Sequence, residues 1–182
     1  PSVGDVTVES LLDYRCNVIT SGTVAQKTAI VAAGLFEHER ARAHDFHLWV
    51  RIAKKGFKIG YQEKVLLKYR VHLDGLSGDS ISRVEREIDV FRRVTKSIEL
   101  SAEEAAIIER RVNLLQGDLH VEYGKSYLLN EDFANAAKAF SEANIYRRSW
   151  KLKGISLLAR FAPKVLLNHY RSHRGDDIQF VP

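Results

Sequence analysis

Apolar positions recur at helical spacing along most of this chain, and only short stretches break that rhythm. Phe46, Trp49, Val50 and Ala53 fall at i, i+3, i+4 and i+7, the stripe of one helix face. Asp45 stands before them as an N-cap, because its carboxylate can accept orphan backbone N–H groups. Lys54 and Lys55 close the segment where cations suit the helix dipole, and Gly56 supplies the stop. Short helical patterns also cover Val8 to Tyr14 and Gln26 to Ala33, the second ending at Gly34. Between them, Asn17 to Val24 is rich in β-branched residues and predicts a strand, with Cys16 buried in or beside it. Lys58–Tyr61 and Val65–Val71 predict two more strands.

From about residue 80 every segment predicts helix. Ile81–Ile98 is the first, and Ser101 with Glu104 makes a capping box for the next, which runs to about Gln116. Gly117–Leu129 and Glu131–Asn144 follow, then Trp150–Phe161 and Pro163–His173, with Pro163 suited to the first helical position. Tyr123, Gly124, Tyr127, Ala136, Phe140 and Ala143 sit at tetratricopeptide spacing. A solenoid needs about three repeats, so this single unit predicts one helical hairpin packed on its neighbours.

Composition adds bounds. The 182 residues are 45% hydrophobic and 28% charged, ordinary values for a folded domain. The single cysteine excludes an intrachain disulfide and fits a reducing compartment. There is no methionine, even at position 1, so the sequence reads as a piece of a longer chain. No apolar run approaches the roughly 20 residues that span a bilayer. The net charge of +5 is uneven. Residues 145–174 carry Arg147, Arg148, Lys151, Lys153, Arg160, Lys164, Arg171 and Arg174 and no acid. Such a block suits an anionic partner or simply forms a solvated face. It lacks RRM, KH or helix-turn-helix patterning, which disfavours nucleic acid.

The chemistry-bearing segment is Gly34-Leu35-Phe36, then His44-Asp45-Phe46-His47-Leu48-Trp49-Val50-Arg51, Lys55-Gly56 and Tyr69-Arg70-Val71-His72. Its order and spacing resemble the acceptor side of family 2, GT-A-type inverting glycosyltransferases, over about residues 15–80. The resemblance implies a small sheet remnant of a GT-A domain in 1–79; with the helical patterns that follow, the chain reads as α+β, mostly helical, with a helical TPR-like extension in 80–174 and a flexible tail in 175–182. It implies that Asp45 is the general base, taking a proton from an acceptor hydroxyl as that oxygen attacks the anomeric carbon. Phe36, His44 and Arg51 would be substrate-binding. His44 stands where the family usually carries Glu, which changes the charge beside the base. Trp49 would pack against the sheet, and Arg51 would alternatively pair with a carboxylate or cap a loop.

In part of the family a histidine at the place of His72 joins the metal bridging the donor diphosphate, a role neutral imidazole can fill for Mn²⁺. A local hydrogen bond from a loop is the other reading of His72. His38, His47, His120, His169 and His173 show no metal spacing. The divalent metal, Mn or Mg, and the nucleotide-sugar donor would be bound mainly by residues upstream, since no strand followed by Asp-x-Asp occurs here. The acceptor would be a sugar or a lipid-linked sugar, and the location cytoplasmic, peripherally at the inner membrane face. Two alternatives stay open: a non-catalytic helical module that binds protein, and a membrane-surface docking element built from the basic helices.

Overall fold

The computed structural model describes residues 5–37, 43–61, 64 and 80–173. The expected strand Val65–Val71, the ligand candidate His72 and the tail 175–182 lie outside these residues. The chain is mostly helical, and among the described residues no strand occurs. It parts into two compact units, residues 1–112 and 113–182. The division falls inside a helix.

The first unit begins with α1 (Val8–Leu12), closed by a reciprocal box in which Thr7 and Ser10 each accept the other's backbone N–H. Then come α2 (Lys27–Ala32), α3 (His44–Lys54), α4 (Ser80–Ser97) and the first part of α5 (Ala102–Leu129). α4 belongs here because its stripe Val84, Ile88, Phe91 and Val94 is buried. Phe91 is fully buried, its ring 5.4 Å from Tyr14 and 5.6 Å from Phe46, spacings at which aromatic pairs add to plain burial. Trp49 is buried, as expected, and among the described residues there is no strand for it to pack on.

Three local expectations are corrected. Asn17–Val24 is not a strand: it carries a single 3-10 turn, Thr20–Gly22, and Val24 and Ile19 face solvent. Thr23 Oγ1 bonds back to the Ile19 carbonyl at 2.8 Å, the local competition by which threonine leaves a ladder. Cys16 is buried, as read, but after α1 rather than beside a strand. Lys58–Tyr61 likewise runs on from Gly56 without joining a ladder. The expected break between Gln116 and Gly117 does not occur. α5 continues through Gly117 to Leu129, because a bare Cα is what the crossing with α6 (Phe133–Arg147) requires. A Cβ there would stand 2.8 Å from Arg147 Cγ and 3.2 Å from Tyr146 Cβ.

The second unit is a hairpin of the later part of α5 with α6, followed by α7 (Trp150–Phe161) and α8 (Pro163–His173). Gly124 lies against the Phe140 ring, where a Cβ would come within 2.6 Å. Leu128, Ala136, Phe140 and Ala143 form the core with Leu152, Ala159, Leu166 and Leu167. Asp132 caps α6, accepting the Asn135 N–H at 3.2 Å. Among the described residues no helix is long and apolar enough to cross a membrane.

Candidate functional site

Asp45 is not the N-cap of α3. That place belongs to Ala43, in left-handed conformation (φ 57°), and Asp45 sits within the first turn. The carboxylate still serves the helix terminus: Oδ1 accepts the Phe46 N–H at 2.9 Å. Oδ2 accepts the Thr20 hydroxyl at 2.9 Å, across the 3-10 turn. Both oxygens are thus oriented, and the side chain stays partly open to solvent. An oriented, accessible carboxylate is the arrangement that general-base chemistry asks for.

His44 precedes Asp45 in α3 and meets Phe36 edge to face, ring centroids 5.8 Å apart. Both are exposed. Arg51 lies one and a half turns along α3 and does what the second sequence reading allowed: it caps a loop. Its Nη1 donates to the Ala33 carbonyl at 2.5 Å and its Nη2 to the Leu35 carbonyl at 2.6 Å. Gly34 between them has φ +87°, and a Cβ there would stand 3.1 Å from Nη1. Glycine is therefore needed twice, for the left-handed backbone and for the guanidinium. Arg51 fixes the turn that carries Phe36. Burial pulls its pKa down against the opposing charge of Glu37, but a guanidinium stays charged in any case.

Beneath this surface lies a cluster that sequence reading missed. His47 is 2% exposed. Its Nε2 lies 2.6 Å from Ser97 Oγ, and that hydroxyl donates to the Arg93 carbonyl at 2.7 Å. Nε2 is therefore the donor to Ser97. Nδ1 is 3.2 Å from Glu37 Oε1 but makes no aligned hydrogen bond. Glu37 is already engaged by the Arg93 guanidinium. Burial, chiefly, holds the imidazole below its ordinary pKa; Glu37 pulls the other way, and Arg51 and Arg93 add to the depression. The neutral ring is the form this pocket favours. The only sequence signal for the cluster was the charged run after Phe36.

A groove of about 600 Å³ opens along the other side of α3. Arg51, Lys54, Lys55, Ser97 and Ser101 line it; Asp45, His44 and Phe36 do not. Its rim is set by the capping box read in the sequence. Ser101 N–H donates to Glu104 Oε2 at 2.6 Å, and Glu104 N–H donates to Ser101 Oγ at 3.1 Å. Lys54 Nζ also reaches that Oε2, at 2.5 Å. Burial alone would raise the Glu104 carboxyl, but these donors outweigh it and hold it below the usual range. Among the described residues no three His, Cys, Asp or Glu side chains group so as to hold a metal ion.

In the second unit the basic block divides. Arg147 pairs with Asp118 and Arg171 with Glu131. Arg148, Lys151, Lys153, Arg160 and Lys164 make no ion pair among the described residues. The apolar residues divide too: Leu166 and Leu167 are core, while Leu157, Leu158, Phe161 and Val165 are exposed. Compared with known proteins, the chain matches no family model, no curated protein and no solved structure.

Proposed function

We propose that this chain supplies the acceptor side of a nucleotide-sugar glycosyltransferase of the GT-A, family 2 type, with Asp45 as its general base. The observation that carries the reading is the Asp45 carboxylate in the first turn of α3. One oxygen is held by Thr20 and the other by the Phe46 N–H, and the preceding residue, His44, is exposed and stacks edge to face with Phe36. The motif order from Gly34 to His72 supports it as well. On this reading the acceptor hydroxyl lies on Asp45 and surrenders its proton as its oxygen bonds to the anomeric carbon. The bond to the nucleotide diphosphate breaks on the opposite face, so configuration inverts. Phe36 and His44 contact the acceptor sugar, and Arg51 acts at one remove by fixing the turn that carries Phe36. The donor, the divalent metal and the sheet of the GT-A half, including residues 65–71, belong to the reading as proposals.

The test is turnover by the longer protein that contains these residues, with a panel of UDP-, GDP- and dTDP-sugars, Mn²⁺ or Mg²⁺ and sugar or lipid-linked acceptors. Transfer with inverted configuration at the anomeric carbon is the expected outcome. A folded protein that turns over no donor in the panel overturns the reading. The 182-residue chain alone is expected to bind none of these donors tightly, and micromolar binding by calorimetry contradicts that division of labour.

A further inference from the structure

Helix α7 has two apolar sides where a soluble helix needs one. Leu152 and Ala159 are buried against the core of the second unit, and Ile155 packs beside them. At 3.6 residues per turn, Trp150, Leu157 and Phe161 fall within about 40° of one another on the opposite side. They are 80%, 49% and 75% exposed. A helix that is apolar all round belongs inside a core or against another phase. Cations flank this outward stripe. Lys153 and Arg160 lie along one edge and Lys151 along the other, none of them in an ion pair among the described residues. Two lean on the aromatic rings: Lys151 Nζ is 5.8 Å from the centroid of Trp150, and the Arg160 guanidinium is 5.4 Å from that of Phe161. α8 differs. Its Leu166 and Leu167 face the core, and Lys164, Asn168, Arg171 and Ser172 are exposed, so it is an ordinary amphipathic helix.

We infer that the outward face of α7 docks on an anionic lipid bilayer, lying in the plane of the interface. Trp150, Leu157 and Phe161 enter the boundary between headgroups and acyl chains, while Lys151, Lys153 and Arg160 stay at headgroup level. The charge decides the occupant. From 145 to 173 there is no acidic residue to repel a phosphate plane, and tryptophan flanked by lysine and arginine is the composition of interfacial helices. A leucine in the middle of the stripe suits acyl chains better than the base-stacking that a nucleic acid offers. The bilayer is met from the surface, since no helix among the described residues is long and apolar enough to cross it. The inference rests on exposure and charge in the second unit and does not depend on the glycosyltransferase reading.

The experiment uses the 182-residue chain with vesicles of phosphatidylcholine alone or mixed with phosphatidylglycerol, at low and high salt. Cosedimentation is expected with the anionic vesicles only, weakening as salt screens the charges. The chain has two tryptophans; Trp49 is 5% exposed and Trp150 is 80% exposed. Insertion is therefore read as a blue shift of Trp150 emission and its quenching by brominated lipid. Phe161→Ser is expected to weaken partitioning by about tenfold, and helical circular dichroism is expected to stay unchanged because the residue is exposed. Lys153→Gln with Arg160→Gln should flatten the salt dependence. Equal binding to neutral vesicles overturns the inference, as does pelleting without any change in Trp150 emission. So does tighter binding to an RNA oligonucleotide than to vesicles. A dimer that Trp150→Ser dissociates would give the face to a second copy of the chain, with the same consequence.

Discussion

The two units handle charge in opposite ways. In the first, charges are tied to loops and termini: Glu37 takes Arg93, Asp13 takes Arg110 and Arg111, Glu104 takes Lys54 and the Ser101 N–H, and Arg51 holds two carbonyls. In the second, the cations from Arg148 to Lys164 make no ion pair among the described residues, Lys151 and Arg160 leaning only on exposed aromatic rings, and large apolar side chains stand in solvent among them. Tied charges cost side-chain freedom and return position, which a catalytic loop needs. Free charges beside exposed aromatics return nothing to a folded monomer, whose stability they leave almost untouched. The first arrangement suits a site that must be held, and the second a surface that must meet something.

Substitutions can break this contrast, beginning with the largest expected effect. Phe91→Ala, in the core of the first unit, should cost about 3–5 kcal/mol, whereas Phe161→Ala should stay within about 0.5 kcal/mol. Urea unfolding of both variants checks the pair, and equal losses would mean that Phe161 is covered in the folded chain. Two helical glycines make a second pair. Gly124→Leu must displace the Phe140 ring and should destabilise by about 1–3 kcal/mol. Gly154, with nothing within 4 Å of a built Cβ, should instead gain about 0.4–1 kcal/mol on substitution by alanine. Thermal melts that move the same way for both would contradict the hairpin packing.

The buried imidazole gives a test by pH. The folded-state pKa of His47 lies below the ordinary 6.5. Its contribution is therefore fully present above pH 6.5 and is lost as the pH falls below it, because the unfolded chain takes up the proton first. Unfolding free energies across that range should show the loss, and His47→Gln should remove it. The smallest effect belongs to the exposed pair Arg171–Glu131, 3.3 Å apart: Arg171→Gln should change stability by about 0–1 kcal/mol.

Much of the helical plan was legible because its signals are local. The Ser101–Glu104 box and the Pro163 start were readable within one turn, and the bounds of α7 and α8 match the sequence pattern. The misreadings arose where a distant partner decided. β-Branched Asn17–Val24 has no strand to pair with among the described residues, and the Thr23 hydroxyl bonds back to the Ile19 carbonyl instead. The sequence places a helix break just before Gly117, whereas α6 lies on that glycine and the helix runs through it. At the site, Asp45, Phe36, His44 and Arg51 were named from a spacing, and the structure brings Phe36 and His44 into contact. Thr20 on the Asp45 carboxylate comes from 25 residues away, and Arg93 on Glu37 from 56. No periodicity in the sequence announces either contact. His47 shows no metal spacing in the sequence, yet burial holds its imidazole below the ordinary pKa.

The central claim is that Asp45 takes the acceptor proton, and the initial transfer rate of Asp45→Asn in the longer protein tests it most directly. Asparagine can still accept the Phe46 N–H on its one oxygen, and its NH2 can donate to the Thr20 hydroxyl in place of accepting from it, but it cannot serve as a base at neutral pH. The account predicts a folded variant with donor affinity unchanged and transfer reduced by about 10²–10⁴. A folded Asp45→Asn protein that transfers sugar at a rate close to wild type would contradict it.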